Sequence, residues 1–188
     1  MVEGSSFENC HGGNPIVSSN LTLTAKELGV GRYAWFKMKK EIKRIQKDIV
    51  RIFRSGLKSK PLYLCAKDNC SEASRLVAIW IKRKFSKADL FIVKGEYVSK
   101  KYHDVLAVQV DGRSYLIDPS VWQFFKNKRG IFMGEFNDVA DVISYAKKTY
   151  GGKWKSVEKL KNFREENKLI KMIRNNLWPT QPKQLSLL

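Results

Sequence analysis

Between residues 35 and 56 the apolar positions fall three and four apart. Met38, Ile42, Ile45, Ile49, Ile52 and Phe53 form one stripe, while Lys37, Lys39, Lys40, Lys43, Arg44, Lys47, Arg51 and Arg54 take much of the remaining surface. That period predicts a long amphipathic helix over AWFKMKKEIKRIQKDIVRIFRSG, closed by Gly56 and preceded by a short helical turn from about Thr24 up to Gly29 and Gly31. LYLC after KSKP reads as a short buried strand, and DNCSEASRLVAIWIKRKF as a second helix carrying Cys70, Ala73, Val77 and Ile81 on its inner face. ADLFIVKG is expected to be a strand, and residues 121 to 127 a short helix or loop packed by Trp122, Phe124 and Phe125. NDVADVISYAKKTYGG is expected to be a helix from Asn137, stopped by Gly151 and Gly152. SVEKLKNFREENKLIKMIRNNLW completes the set as the last helix before Pro179.

The hairpin KYHDVLAVQVDGRSYLIDPS gives the sharpest local prediction. Asp111-Gly112 between alternating runs calls for a two-residue type I′ turn, whose two central residues both need positive φ. The turn fixes the register: Val110 faces Arg113, Val108 faces Tyr115, Leu106 faces Ile117, and Val105 faces Asp118. His103 then lies on the same face as Val105 and diagonal to Asp118, roughly 7–8 Å away at Cα, within reach of an imidazole and a carboxylate. Together these elements predict an α+β fold, helices packed on a small antiparallel β-sheet. One domain is expected over residues 23–178, between a flexible leader at 1–22 and a disordered tail at 179–188.

Composition adds charge to this outline. The 188 residues, 43% hydrophobic and 12% aromatic, suffice for a core, and 36 Lys and Arg against 18 Asp and Glu leave a formal charge of +18. Such a field attracts anions: nucleic acid, an anionic membrane, or the acidic surface of a protein substrate. The helix at residues 35–55 is the expected contact for the first two, with Tyr33, Trp35 and Phe36 set beside Arg32 and Lys37. A solvated helix face over a core explains the same pattern without any partner. No apolar run approaches the roughly 20 residues that span a bilayer, and the first residues lack a secretory signal. A reducing cytosol, or delivery into a target cell by a dedicated secretion system, fits best.

The chain holds three cysteines and two histidines. Asn69 followed by Glu72 is a capping-box pattern, making Asn69 the N-cap and Cys70 the first helical residue. There the helix's positive end favours a thiolate, and the free N–H groups, with Asn69 or Ser71 nearby, can hold an oxyanion. A buried inert cysteine is the competing interpretation of Cys70. Cys65 is expected at a strand end, away from any helix N-terminus, and Cys10 beside His11 lacks a third group to orient a base. The cysteines show no zinc spacing, and neither metal nor cofactor is expected.

The order Cys70 in NCSEAS, His103 in YHDVLAVQVDG and Asp118 in YLIDPS resembles the papain-like and transglutaminase-like cysteine hydrolases, especially bacterial toxin and effector branches that deamidate glutamine side chains of host proteins. The resemblance covers residues 61 to 120. It implies a papain-like core, with Cys70 as nucleophile, His103 as general base and acid, and Asp118 as the orienting carboxylate. No clear glutamine stands upstream of Cys70 to complete a papain-type oxyanion hole, and no tryptophan directly follows His103 as it does in many transglutaminases. The implied function is a thiol-dependent amide hydrolase or acyl transferase, foremost a protein glutamine deamidase. A cysteine protease or transglutaminase of the same fold, or a non-enzymatic basic module binding nucleic acid or anionic membrane, are the alternatives.

Overall fold

The computed structural model describes residues 25–55 and 60–177. The leader with Cys10 and His11, the Gly56 stop and the 179–188 tail lie outside them. Five helices and five strands follow in the order α1 (Ala25–Arg54), α2 (Leu62–Ala66), α3 (Cys70–Lys84), β1 (Asp89–Val98), β2 (Lys101–Val110), β3 (Arg113–Ile117), β4 (Phe132–Phe136), α4 (Val139–Tyr150), β5 (Lys153–Lys159) and α5 (Glu166–Leu177). A 3-10 turn at Val121–Gln123 follows β3. The strands form one antiparallel sheet in the order β4-β3-β2-β1-β5, so the fold is α+β.

The apolar stripe of α1 is buried along its whole length, from Met38 to Phe53, while Lys37, Lys39, Lys40, Lys43 and Lys47 are exposed. The helix runs unbroken through Gly29 and Gly31, where a separate turn was expected. A glycine costs a helix only about 1 kcal/mol, which its neighbours offset. Val105, Leu106, Ala107 and Val108 are all buried, so both faces of β2 are covered. Helices α1, α3 and α5 pack on one another, with α3 laid over β2, and α4 packs against β2 to β5.

The β2–β3 hairpin has the expected register, Leu106 opposite Ile117 and Val110 opposite Arg113, with Asp111 and Gly112 at φ 51° and 72°. The β1–β2 connection is also a tight turn, and it places Ser99 and Lys100, neither of them glycine, at φ 48° and 68°.

Two of the expected elements differ, and one strand was not foreseen. LYLC is helical: Cys65 and Ala66 are buried while Leu64 is exposed, and half-buried Leu62 lies three and four residues before the buried pair, a helical spacing rather than a strand's alternation. The last helix begins only at Glu166, because KWKSVEK pairs with β1 as the edge strand β5. Its backbone groups satisfy the open edge of β1, a demand that no local period expresses. Strand β4, foreseen by no motif, covers the opposite edge by pairing with β3.

Candidate functional site

The β2–β3 ladder ends at Leu106 and Ile117, leaving the start of β2 without a neighbour on that side. His103 lies in this unpaired stretch, opposite Gly95 of β1, and its ring is fully buried. Beyond Ile117 the chain turns at Asp118, whose amide donates to the Ile131 carbonyl and fixes the carboxylate at the ladder's end. The His103 Nε2 lies 3.0 Å from the Asp118 Oδ2, so the diagonal pair predicted from the hairpin is present.

Asp118 is saturated with donors. The Tyr150 hydroxyl at the end of α4 donates to Oδ2 at 2.6 Å, while the Ser120 amide and hydroxyl donate to Oδ1 at 2.9 and 3.2 Å. The Asp118–Ser120 bonds are an Asx-type turn, which suits Asp-Pro-Ser. Gln123 in the 3-10 turn closes the circuit, with its amide nitrogen 3.1 Å from the Ser120 Oγ and 2.9 Å from the His103 Nδ1. Phe124, Tyr150 and Trp154 pack their rings around the imidazole at centroid distances of 4.6, 5.1 and 6.1 Å. Trp154 approaches so closely because the facing residue is Gly95, where a Cβ would sit 2.7 Å from the indole.

Cys70 comes to this ring from α3. The Ser74 hydroxyl, one turn further along the helix, donates to the carbonyl of Asp104 at 3.1 Å and pins α3 beside His103. The Cys70 thiol is half-buried and close enough to the imidazole to affect its proton affinity. Burial of the ring is the largest single influence and opposes its charge; the Asp118 carboxylate and then Cys70 outweigh it, raising the His103 pKa to about 9. Tyr150 is held protonated, since burial and then the Asp118 carboxylate push its pKa far above the ordinary phenol value. It therefore acts as a donor throughout the physiological range.

The structure thus brings Cys70, His103 and Asp118 together and treats the two supporting candidates differently. Asn69 occupies the N-cap position of α3 but makes no side-chain cap bond. Its amide donates instead to the carbonyls of Cys65 and Lys67, and its Oδ1 accepts from Asn176 of α5. The expected capping box is absent because this buried side chain serves the α2–α3 turn and ties it to α5. Ser71 follows Cys70 in the first turn of α3 and hydrogen-bonds to none of the three among the described residues. Cys65 lies in α2 instead of at a strand end; it is fully buried, and burial raises its thiol pKa. That environment suits an inert thiol.

Sequence reasoning missed Gln123, Tyr150 and Trp154. Trp154 was hidden because its segment leads into what reads as a helix. Tyr150 looked like the end of an amphipathic helix, and Gln123 had no signal beyond its distance from Asp118. Beside the site, Phe124, Phe125, Lys126, Lys128, Met133 and Tyr145 line a cleft of about 610 Å³.

Chemically, such a constellation can generate a thiolate beside an imidazolium, with a carboxylate stabilising the ring's charge and a helix N-terminus facing any oxyanion. Among the described residues no helix is long and apolar enough to cross a membrane. Compared with protein-family models, curated proteins and solved structures, the chain finds no match.

Proposed function

We propose that the protein is a thiol-dependent amide hydrolase or acyl transferase of papain-like core, acting foremost as a glutamine deamidase on proteins, in the manner of a bacterial effector or toxin. The observation that carries this is a half-buried thiol at the start of α3 close enough to act on a buried histidine that is already paired to a buried aspartate. The Cys70 thiolate attacks the carboxamide carbon, and the first N–H groups of α3 stabilise the oxyanion. Collapse of the intermediate breaks the C–N bond as the His103 imidazolium passes its proton to departing ammonia, leaving an acyl thioester on Cys70. Water, deprotonated by the now neutral His103, attacks that thioester to give the carboxylate and restore the thiol. An amine in place of water would make the same site a transglutaminase, and a backbone amide in place of the carboxamide would make it a protease. The +18 charge favours a protein substrate with an acidic surface.

Incubation with a panel of acidic proteins, reading ammonia release and the mass of each substrate, tests this. The wild type should release ammonia and convert glutamine to glutamate without cutting the chain, and Cys70→Ala should do neither. Full activity in Cys70→Ala would refute the proposal.

One observation supports a second possibility, a basic module without catalysis: Phe36 is 67% exposed on α1 next to the exposed Lys37, Lys39 and Lys40, as in helices that insert into lipid headgroups or stack on bases. Binding to anionic vesicles or single-stranded DNA that falls steeply with salt, and survives alkylation of Cys70, would favour it.

A further inference from the structure

The Ser120 hydroxyl has a single proton, and at 3.2 Å from the Asp118 Oδ1, an oxygen that can only accept, that proton goes to the carboxylate. Ser120 can therefore only accept from Gln123, so the Gln123 side chain presents its NH2 end to both Ser120 and the His103 Nδ1. On the far side of the ring Asp118 requires a proton on Nε2. Nδ1 is thus an acceptor in this arrangement, which only the neutral ring provides, so Gln123 works against the proton that Asp118 and Cys70 draw onto the ring, and the lone pair that would take the Cys70 proton is already engaged.

We propose that Gln123 is a positioning residue that latches His103 in a neutral resting form, and that its amide must turn away before the Cys70 thiolate and His103 imidazolium can form. The inference rests on the Cys70–His103 pair of the proposed function. The titratable groups meeting the ring are Asp118 beyond β3, Cys70 of α3 and, through Asp118, Tyr150 of α4; Trp154 of β5 and Phe124 add only uncharged surface. Burial of the ring opposes its charge and Asp118 and Cys70 favour it; Gln123 adds to the opposition, because an N–H on Nδ1 would point at an N–H of the amide. Half-buried at the surface end of this network, Gln123 can turn without unpacking the core. A substrate carboxamide entering beside Cys70 offers a carbonyl and an NH2 group that can replace those of the latch.

Peptide-resolved alkylation of Cys70 by iodoacetamide between about pH 5 and pH 9 tests the idea without a substrate. Gln123→Leu removes the amide at similar size, and Gln123→Glu sets a carboxylate against Nδ1–H. Both should speed alkylation near neutral pH about fivefold, the factor one neutral hydrogen bond is worth. His103→Asn should abolish the reactivity on the acid side. If both Gln123 variants match the wild type while His103→Asn loses reactivity, the latch is wrong and the thiol–imidazole pair stands. If His103→Asn leaves the Cys70 profile unchanged, the pair itself fails and the latch with it.

Discussion

Replacing Asp118 with asparagine tests the electrostatic heart of the site. The substitution keeps size and shape, and the asparagine carbonyl can still accept from Ser120. The position now held by Oδ2, however, becomes an NH2 group facing the Tyr150 hydroxyl and the His103 Nε2–H. To avoid that clash the ring must move its proton to Nδ1, the tautomer that cannot take a proton from a thiol on that side. The anion that outweighed the burial of the ring is lost as well. In the wild type, the rise of the His103 pKa from 6.5 to about 9 corresponds to about 3 kcal/mol at 1.36 kcal/mol per pH unit. Because the folded pKa is raised, this stabilisation is fully present below about pH 6.5 and is lost as the pH climbs through about 9. Gln123 pulls the other way and moves the upper edge of that window downward. Urea unfolding of wild type and Asp118→Asn at about pH 6, 7.5 and 9.5 reads the effect directly, since titrations shared by both proteins cancel in the difference. The stability gap should be widest at the acid end and narrow by about 3 kcal/mol towards the alkaline end. A gap that does not change with pH would show that the pair carries no proton-linked energy.

Tyr150→Phe removes one charge-assisted donor from buried Asp118 and should cost about 1.5–3 kcal/mol in chemical denaturation. It should also raise the affinity of His103 for its proton, seen as a higher imidazole pKa by NMR; an unchanged pKa would mean the hydroxyl does not tune the pair. Gly95→Ala puts a methyl 2.7 Å from the Trp154 ring, which is packed near His103 and has little room to retreat. It should lose about 1–3 kcal/mol, and thermal melts matching the wild type would refute that packing. Cys65, buried and with its thiol pKa raised, should remain unlabelled by iodoacetamide under native conditions while Cys70 reacts, and equal labelling would contradict the burial of α2.

Much of the site was legible because it was local. The Asp111-Gly112 turn sets the hairpin register, the register sets the diagonal between His103 and Asp118, and no information from elsewhere in the chain is needed. The stripe from Met38 to Phe53 and the α3 face of Ala73, Val77 and Ile81 were equally plain, since a helix that covers a core writes its period into the chain. The edge strands were not. β5 was masked by lysines and a long helical-looking run, and β4 by its mixed composition, because an edge strand gains its stability from a neighbour's unpaired backbone. The Asn69 cap misled for a related reason: the pattern Asn-x-x-Glu fits a capping box, but a turn carrying Asp68 at φ 59° brought other backbone carbonyls closer to the amide.

What the chain alone determined is therefore the thiol at the head of a helix and the imidazole with its carboxylate on paired strands, features set by turns and periods a few residues long. What only the tertiary structure decided is the company they keep. Ser74 pins α3 against β2, Tyr150 and Ser120 hold the carboxylate, Gln123 claims the other ring nitrogen, and Trp154 fills the space above Gly95. Apart from the local turn of Ser120 onto Asp118, those contacts join residues that lie far apart along the chain. Their geometry follows from how the layers pack around the sheet, a balance of burial and hydrogen bonding over the whole molecule that no short segment can encode.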